Sequence, residues 1–129
     1  MVNIDYIMSL IDWNKSIADQ TEGIKMAENI ESINVFLQPC SKNYNKNVWD
    51  NCAKILSKRT DEELSPYLVE LLDWLQDLNW PGAFCILERL QKFADKSSFN
   101  RALNICLKYA QALEDDVWEN NLRILKSDK

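Results

Sequence analysis

The chain has 129 residues, of which 47% are hydrophobic and 27% charged, and its formal net charge is −5; this predicts one domain with a sizeable core. Two glycines and three prolines supply too few turns for a β-sandwich or β-barrel, so helices joined by short loops are expected. The acidic balance argues against nucleic acid as the main partner, since phosphate backbones bind clustered lysine and arginine, and it suits a basic protein unless it serves only solubility.

The composition also restricts the chemistry of the chain. There is no histidine and glycine stands only at 23 and 82, so Ser-His, Cys-His, His-metal and glycine-rich phosphate sites are excluded. No C-x-x-C pair occurs among Cys40, Cys52, Cys85 and Cys106, which removes the usual zinc spacing. We expect no catalytic residue, no metal and no cofactor. The predicted helices contain free thiols, and the sequence has no basic signal-peptide segment and no apolar run of ~20 residues. These features predict a cytoplasmic protein without a membrane span.

The N-terminal part is predicted to be helical with interruptions. Apolar residues have helical spacing in Ile4–Ile11 and again in Ile24–Leu37, while Gly23 and the polar stretch Trp13–Thr21 separate them. This predicts one short helix, a linker and a second helix. Pro39, together with the polar residues from Ser41 through Asn45, predicts a loop.

From residue 47 onward, five helices are predicted, over 47–59, 65–78, 80–94, 97–113 and 116–127. Thr60–Glu63 has the form of a capping box, and Ser65 followed by Pro66 offers an N-cap with proline at the first helical position. The second of these helices has an amphipathic stripe, formed by Leu68, Leu71, Leu72, Leu75 and Leu78.

The next two helices have cap signals of the same kind. Asn79 or Trp80 is expected to cap helix 80–94, and Ser97 or Ser98 is expected to cap helix 97–113. Helix 97–113 is apolar almost all round, which predicts a central position with neighbours on both sides. Its apolar residues are Phe99, Leu103, Ile105, Cys106, Leu107, Tyr109 and Ala110.

A repeated phrase, Trp-x5-Ile-Leu, begins at Trp49, Trp80 and Trp118, at spacings of 31 and 38 residues. A repeat in the thirties with helical content is typical of an α-solenoid of stacked helix hairpins. Phrase positions 0, +3, +4 and +7 share one helix face and are predicted to be core. They are Trp49, Cys52, Ala53 and Leu56; Trp80, Ala83, Phe84 and Leu87; Trp118, Leu122 and Leu125; and Asn121, a polar exception that suits a terminal cap. The alternative for the tryptophans is a ladder that stacks on a ligand.

The run Asp61–Pro81 resembles the signature D-E-E-x-x-P-x-L-x-x-L-L-E-W-L-Q-D-x-N-W-P of a bacterial family of small HEAT-like helical proteins of unknown function. The resemblance covers about Lys46–Phe93 and, more weakly, the last helix. It implies an all-α, short HEAT-like solenoid over residues 44–129, with residues 1–43 as further helices of the same single domain. No catalytic residues come with it. Similar small helical proteins act as immunity or accessory proteins in bacterial toxin systems.

Three carboxylates share one stripe of helix 65–78: Glu70, Asp73 and Asp77. Paired carboxylates suit a metal or an acid–base site. The solvated face of an amphipathic helix explains the same pattern.

The best candidate site for a partner is a ladder of mixed charge on the outer positions of the repeated phrase. We call it the charge ladder: Asp50, Lys54, Lys58, Glu88, Arg89, Glu119, Arg123 and Lys126. The sequence leaves three functions open: a protein-binding module, in its specific form an immunity protein against a basic toxin domain; a structural subunit that self-associates through its N-terminal part; and a HEAT-like enzyme acting on nucleic-acid bases.

Overall fold

The computed structural model describes residues 3–41 and 44–127, without the side chains of residues 40, 41 and 127. The α-helices in these residues are α1 (Ile4–Leu10), α2 (Ile17–Ala27), α3 (Gln38–Ser41), α4 (Trp49–Ser57), α5 (Asp61–Leu64), α6 (Leu68–Asp73), α7 (Ala83–Gln91), α8 (Lys96–Ala112) and α9 (Asp116–Ser127). Short 3-10 helices span Ile33–Phe36, Lys46–Val48, Ser65–Tyr67 and Trp74–Gln76. The described residues contain no strand, so the all-α prediction is confirmed.

The helices lie in two rows. In one row α4 contacts both α2 and α7, and α7 contacts α9. In the other row α6 contacts α3 and α8. The rows are joined where α8 packs along α9 and where the Trp74–Gln76 turn packs against α7 and α9. Successive helices of the C-terminal part therefore alternate between the rows, and the core lies between them.

Tryptophans fill the centre of this core. Trp74 is fully buried and its indole Nε1 donates to the Pro81 carbonyl at 2.9 Å. Trp49 meets the edges of Trp74 and Trp80, with ring centroids 6.3 and 5.5 Å apart. Trp118 is also buried, and its Nε1 donates to the Leu72 carbonyl at 3.2 Å. The prediction of core tryptophans is confirmed for the first and third copies of the phrase, and Trp74 adds one that the phrase does not contain.

In the second copy of the phrase, the predicted start of the helix and the predicted buried face are wrong. Helix α7 begins at Ala83 instead of residue 80, because Gly82 has φ +86°, a left-handed conformation that cannot lie within an α-helix. Trp80 therefore lies half-buried in the preceding turn. The buried set of α7 is Ala83, Ile86, Leu87 and Leu90, and Phe84, predicted to be core, is 60% exposed.

The capping box at Thr60 is confirmed, because its Oγ1 accepts from the Glu63 amide at 3.1 Å and the Glu63 side chain accepts from the Thr60 amide at 3.1 Å. The helix that this box caps, α5, continues directly into the 3-10 turn that contains Pro66. The prediction that Ser65 is an N-cap is therefore wrong, because Ser65 is the first residue of that turn. The leucine stripe is confirmed: Leu68, Leu71, Leu72 and Leu75 are buried and Leu78 is half-buried.

Helix α8 differs from its prediction in two respects. Its N-cap is Asp95, whose carboxylate accepts from the Ser98 amide at 3.1 Å, instead of Ser97 or Ser98. Its buried residues form a single stripe, while Ile105 is 41% and Tyr109 56% exposed. The prediction that α8 has neighbours on both sides is therefore wrong at Ile105 and Tyr109.

In the N-terminal part, Gly23 does not interrupt a helix. It lies inside α2, where a Cβ would stand 2.6 Å from Ile11 Cγ2, so glycine permits the close approach of α1 and α2. The linker is shorter than predicted, because Ser16 caps α2 by accepting from the Asp19 amide at 3.1 Å. Pro39 lies in α3 instead of a loop; the loop positions 42 and 43 and the Cys40 side chain lie outside the described residues. Across the described ranges, no helix is both long and apolar enough to span a membrane.

Candidate functional site

Seven of the eight residues of the charge ladder lie in the neighbouring helices α4, α7 and α9, and Lys58 follows the last residue of α4. Its members do not form one uniform surface. Some pair within their own helix, one is tied into the fold, and others remain exposed without an ion pair to any residue between 3 and 41 or 44 and 127.

Two intrahelical pairs hold four ladder residues. Lys54 Nζ lies 3.3 Å from an oxygen of Asp50, and Arg123 Nη2 lies 2.6 Å from an oxygen of Glu119. The Arg123 guanidinium and then the Gln111 amide, both donating to the carboxylate, lower the pKa of Glu119. Exposed i,i+4 pairs add little to stability, so their main consequence is to fix where these charges point.

Arg89 is a structural clamp more than a surface charge. Its Nη2 donates to the Arg59 carbonyl at 2.9 Å and to Asp61 Oδ1 at 2.5 Å, and only 14% of its side chain is exposed. The amide of Ala94 donates to the other oxygen of Asp61 at 2.9 Å. That amide, followed by Arg89, lowers the pKa of Asp61. The clamp thus joins the end of α4, the start of α5 and the end of α7.

The three remaining ladder residues are exposed at separate places. Lys58 lines a cleft of about 310 Å³ together with Ile24 and Glu63. Lys126 lines a groove of about 470 Å³ between α8 and α9. Glu88 lies on the outer side of α7. The ladder is therefore divided among a central face and two flanking depressions.

Phe84 is the feature of this face that the sequence reasoning missed. Contacts of Cys85 with Ser57 and of Arg89 with Arg59 mark the side of α7 that faces α4. At about 100° per residue, Phe84 lies on the other side, toward α9. The set Ala83, Ile86, Leu87 and Leu90 has i, i+3, i+4, i+7 spacing, which leaves Phe84 off the buried stripe. That spacing was visible in the sequence.

Helix α9 carries two exposed apolar residues on its side away from α8. Its side toward α8 is marked by the hydrogen bond from Gln111 to Glu119, and its opposite side by the bond from Asn121 to the Leu75 carbonyl at 2.8 Å. Val117 and Ile124 lie within about 60° of Asn121 around the helix, and they are 62% and 39% exposed. We call Phe84, Val117 and Ile124 the α7–α9 apolar patch.

The carboxylate stripe does not assemble into one cluster. Burial, and then the charge of Glu70, raises the pKa of Asp73 to about 6. Asp77 instead closes a turn by accepting from the Asn79 amide at 2.8 Å. No group of three potential metal ligands occurs within the described part of the chain. Asp73 lines neither the 470 Å³ groove nor the 310 Å³ cleft.

The thiols with described side chains are part of the packing. Cys52 and Cys106 are buried; burial raises the pKa of the Cys52 thiol far above its usual value, and burial together with Asp73 and Glu70 raises that of Cys106 to about 12. Thiols with raised pKa values remain protonated and are poor nucleophiles.

The chain belongs to the family described as domain of unknown function DUF5071, which matches residues 43–127. This range contains all of the charge ladder and the α7–α9 apolar patch, and it leaves α1, α2 and α3 outside. Neither the curated proteins nor the solved structures contain a match to the chain.

Proposed function

We propose that this chain is a non-enzymatic, HEAT-like helical-repeat module that binds another protein in the cytoplasm through the outer face of α4, α7 and α9. Phe84 carries the proposal: it is 60% exposed and lies on α7, which contacts both α4 and α9. Exposed aromatic anchors with a charged rim are typical of interface hot spots. The alternation of helices between two rows and the run Asp61–Pro81 support the HEAT-like assignment.

The proposed partner is a basic toxin domain, for which this module would act as an immunity protein. The net charge of −5 supports this choice, since it attracts basic proteins at long range. Without Arg89, which is tied into the fold, the ladder carries four positive and three negative residues, 4 − 3 = +1. A partner that docks there must therefore place carboxylates opposite Lys54 and Lys58 while remaining basic elsewhere.

The test is a quantitative capture from the native host with tagged wild-type chain, Phe84→Glu and Tyr109→Glu. Tyr109 is a matched control because it is 56% exposed but lies on α8, in the other row. We expect one partner in stoichiometric amount with the wild type and Tyr109→Glu, and its loss with Phe84→Glu. Equal capture by all three at unchanged helicity would reject this face.

The charge ladder is tested separately by the double variant Lys54→Glu with Arg123→Glu. Both residues are exposed and their pairs are intrahelical, so the fold should be retained while partner binding is abolished. Unchanged affinity would remove the ladder from the interface and leave the apolar patch alone. Recovery of the wild-type chain with no partner at all would contradict the binding proposal.

A second candidate function is that of an assembly subunit that self-associates. Its support is the exposed apolar surface of the N-terminal part, where Tyr6 is 53%, Trp13 47% and Ile17 83% exposed. These residues lie outside the family match. Sedimentation equilibrium of the wild type and Ile17→Glu tests this: a dimer that Ile17→Glu dissociates supports it, and a monomeric wild type at all concentrations rejects it.

A further inference from the structure

The groove between α8 and α9 has an apolar floor and lies apart from the α7–α9 apolar patch. The floor consists of Phe99, Leu103 and Leu125, and the volume of the groove is about 470 Å³. Lys126, which also lines the groove, is on the side of α9 that carries Glu119 and faces α8. The groove is therefore on the opposite flank of α9 from Ile124.

Two lysines line this groove. Lys96 is the first residue of the 17-residue α8 and Lys126 lies in the last turn of the 12-residue α9, so α8 extends beyond the end of α9 and the two lysines line the groove at different levels. Lys96 Nζ also donates to the Gln91 carbonyl at 3.5 Å. Lys96 Nζ lies 5.9 Å from the centroid of the Phe99 ring. No acidic residue lines the groove, and neither lysine has an ion pair within the described ranges. In a chain with net charge −5, this is a local region of positive charge.

Two asparagines continue the groove along α8. Asn100 and Asn104 line it, are exposed, and make no side-chain hydrogen bond to the described residues. Four residues of helix advance about 6 Å, close to the roughly 6.6 Å between alternate residues of an extended strand. A primary amide has both a donor and an acceptor, so each can pair with one peptide unit of an extended chain.

We propose that the α8–α9 groove binds an extended acidic segment of a partner protein. Its carboxylates meet Lys96 and Lys126, its backbone pairs with Asn100 and Asn104, and one apolar side chain rests on the floor. The charge complementarity of the two lysines and the spacing of the two amides select this occupant. The groove is separate from the face proposed above, so either site can fail its test alone.

The test uses two synthetic eight-residue peptides, each with two adjacent acidic or amide residues at one end followed by alternating leucine and serine. One carries glutamates and the other glutamines, and both have blocked termini. Each is titrated into the isotope-labelled full chain while the side-chain amide signals of Asn100 and Asn104 are followed by NMR. We expect saturable shifts with the glutamate peptide and about tenfold weaker binding of the glutamine peptide, since two partly exposed ion pairs are lost.

The variant Lys96→Gln with Lys126→Gln should weaken glutamate-peptide binding by about the same factor. The matched control is Lys92→Gln with Lys108→Gln, which removes two exposed lysines outside the groove and should leave the affinity unchanged. Equal binding of the two peptides, equal loss in the two variants, or no shift up to millimolar peptide would overturn the proposal. Shifts of the same signals on dilution without peptide would assign the groove to a second copy of the chain and also overturn it.

Discussion

Replacing Gly82 by alanine tests the contact that sets the phase of α7 and thereby exposes Phe84. Gly82 has φ +86°, and an added Cβ would lie 2.6 Å from Ala53 Cβ and 2.9 Å from the Trp49 carbonyl oxygen. The left-handed conformation costs alanine about 1 kcal/mol, and overpacking against α4 costs about 2 kcal/mol more. We expect Gly82→Ala to lower the free energy of unfolding by about 3 kcal/mol.

The assay is urea unfolding followed by circular dichroism, with a thermal scan in which the midpoint should fall by about 12 °C. The matched control is Gly23→Ala, where an added Cβ meets Ile11 Cγ2 at the same 2.6 Å but the backbone is helical. Alanine is the better helix former, by about 1 kcal/mol, so this variant should lose clearly less stability. A Gly82→Ala variant within 0.5 kcal/mol of the wild type, on the order of measurement error, would refute the reasoning about the turn.

Three further substitutions test other contacts. The pKa of Asp73 is about 6 in the folded chain against an ordinary 3.8, so the free energy of unfolding of the wild type falls as pH rises from 4 to 6. The variant Asp73→Asn should be about 1 kcal/mol more stable than the wild type at pH 7, after allowance for solvent screening. Near pH 4 the two should be equally stable. Urea unfolding at the two pH values decides this, and a constant difference would contradict it. Arg89→Met keeps the apolar stem but breaks the clamp, and should cost about 2 kcal/mol in the same assay; no loss would show that the clamp is dispensable. Asn121→Ala should cost about 1 kcal/mol by leaving the Leu75 carbonyl without its donor, whereas the exposed neighbour Asn120→Ala should be neutral, and equal effects would argue against this hydrogen bond.

The buried faces of α4 and α9 could be predicted, because the spacing of apolar residues around a helix decides which side is buried. Trp49 and Trp118 lie within the first turn of amphipathic helices, so their phrase positions +4 and +7 are buried as expected. The same phrase fails at Trp80, because Pro81 and Gly82 delay the helix and shift its phase. A repeat defined by the spacing of residues does not predict such a local backbone conformation.

Other differences arise from contacts distant in sequence. Gly23 was expected to lie between two helices, but the close packing of α1 on α2 requires it within one. Arg89 was expected on a binding face, but Asp61, 28 residues earlier, draws it into the fold. The exposure of Phe84 could have been predicted from the spacing of the buried residues of α7. The position of the groove depends on how α8 and α9 pack, and the periodicity of the sequence alone does not define that packing.

The most direct test of the proposed interface is hydrogen–deuterium exchange of the chain alone and with the partner recovered from its host. The proposal predicts protection in peptides covering α4, α7 and α9, largest around Phe84, with little change in α6. Protection confined to α1 and α2, or to α6, would contradict it, because the partner would then bind away from the face on which the proposed function depends.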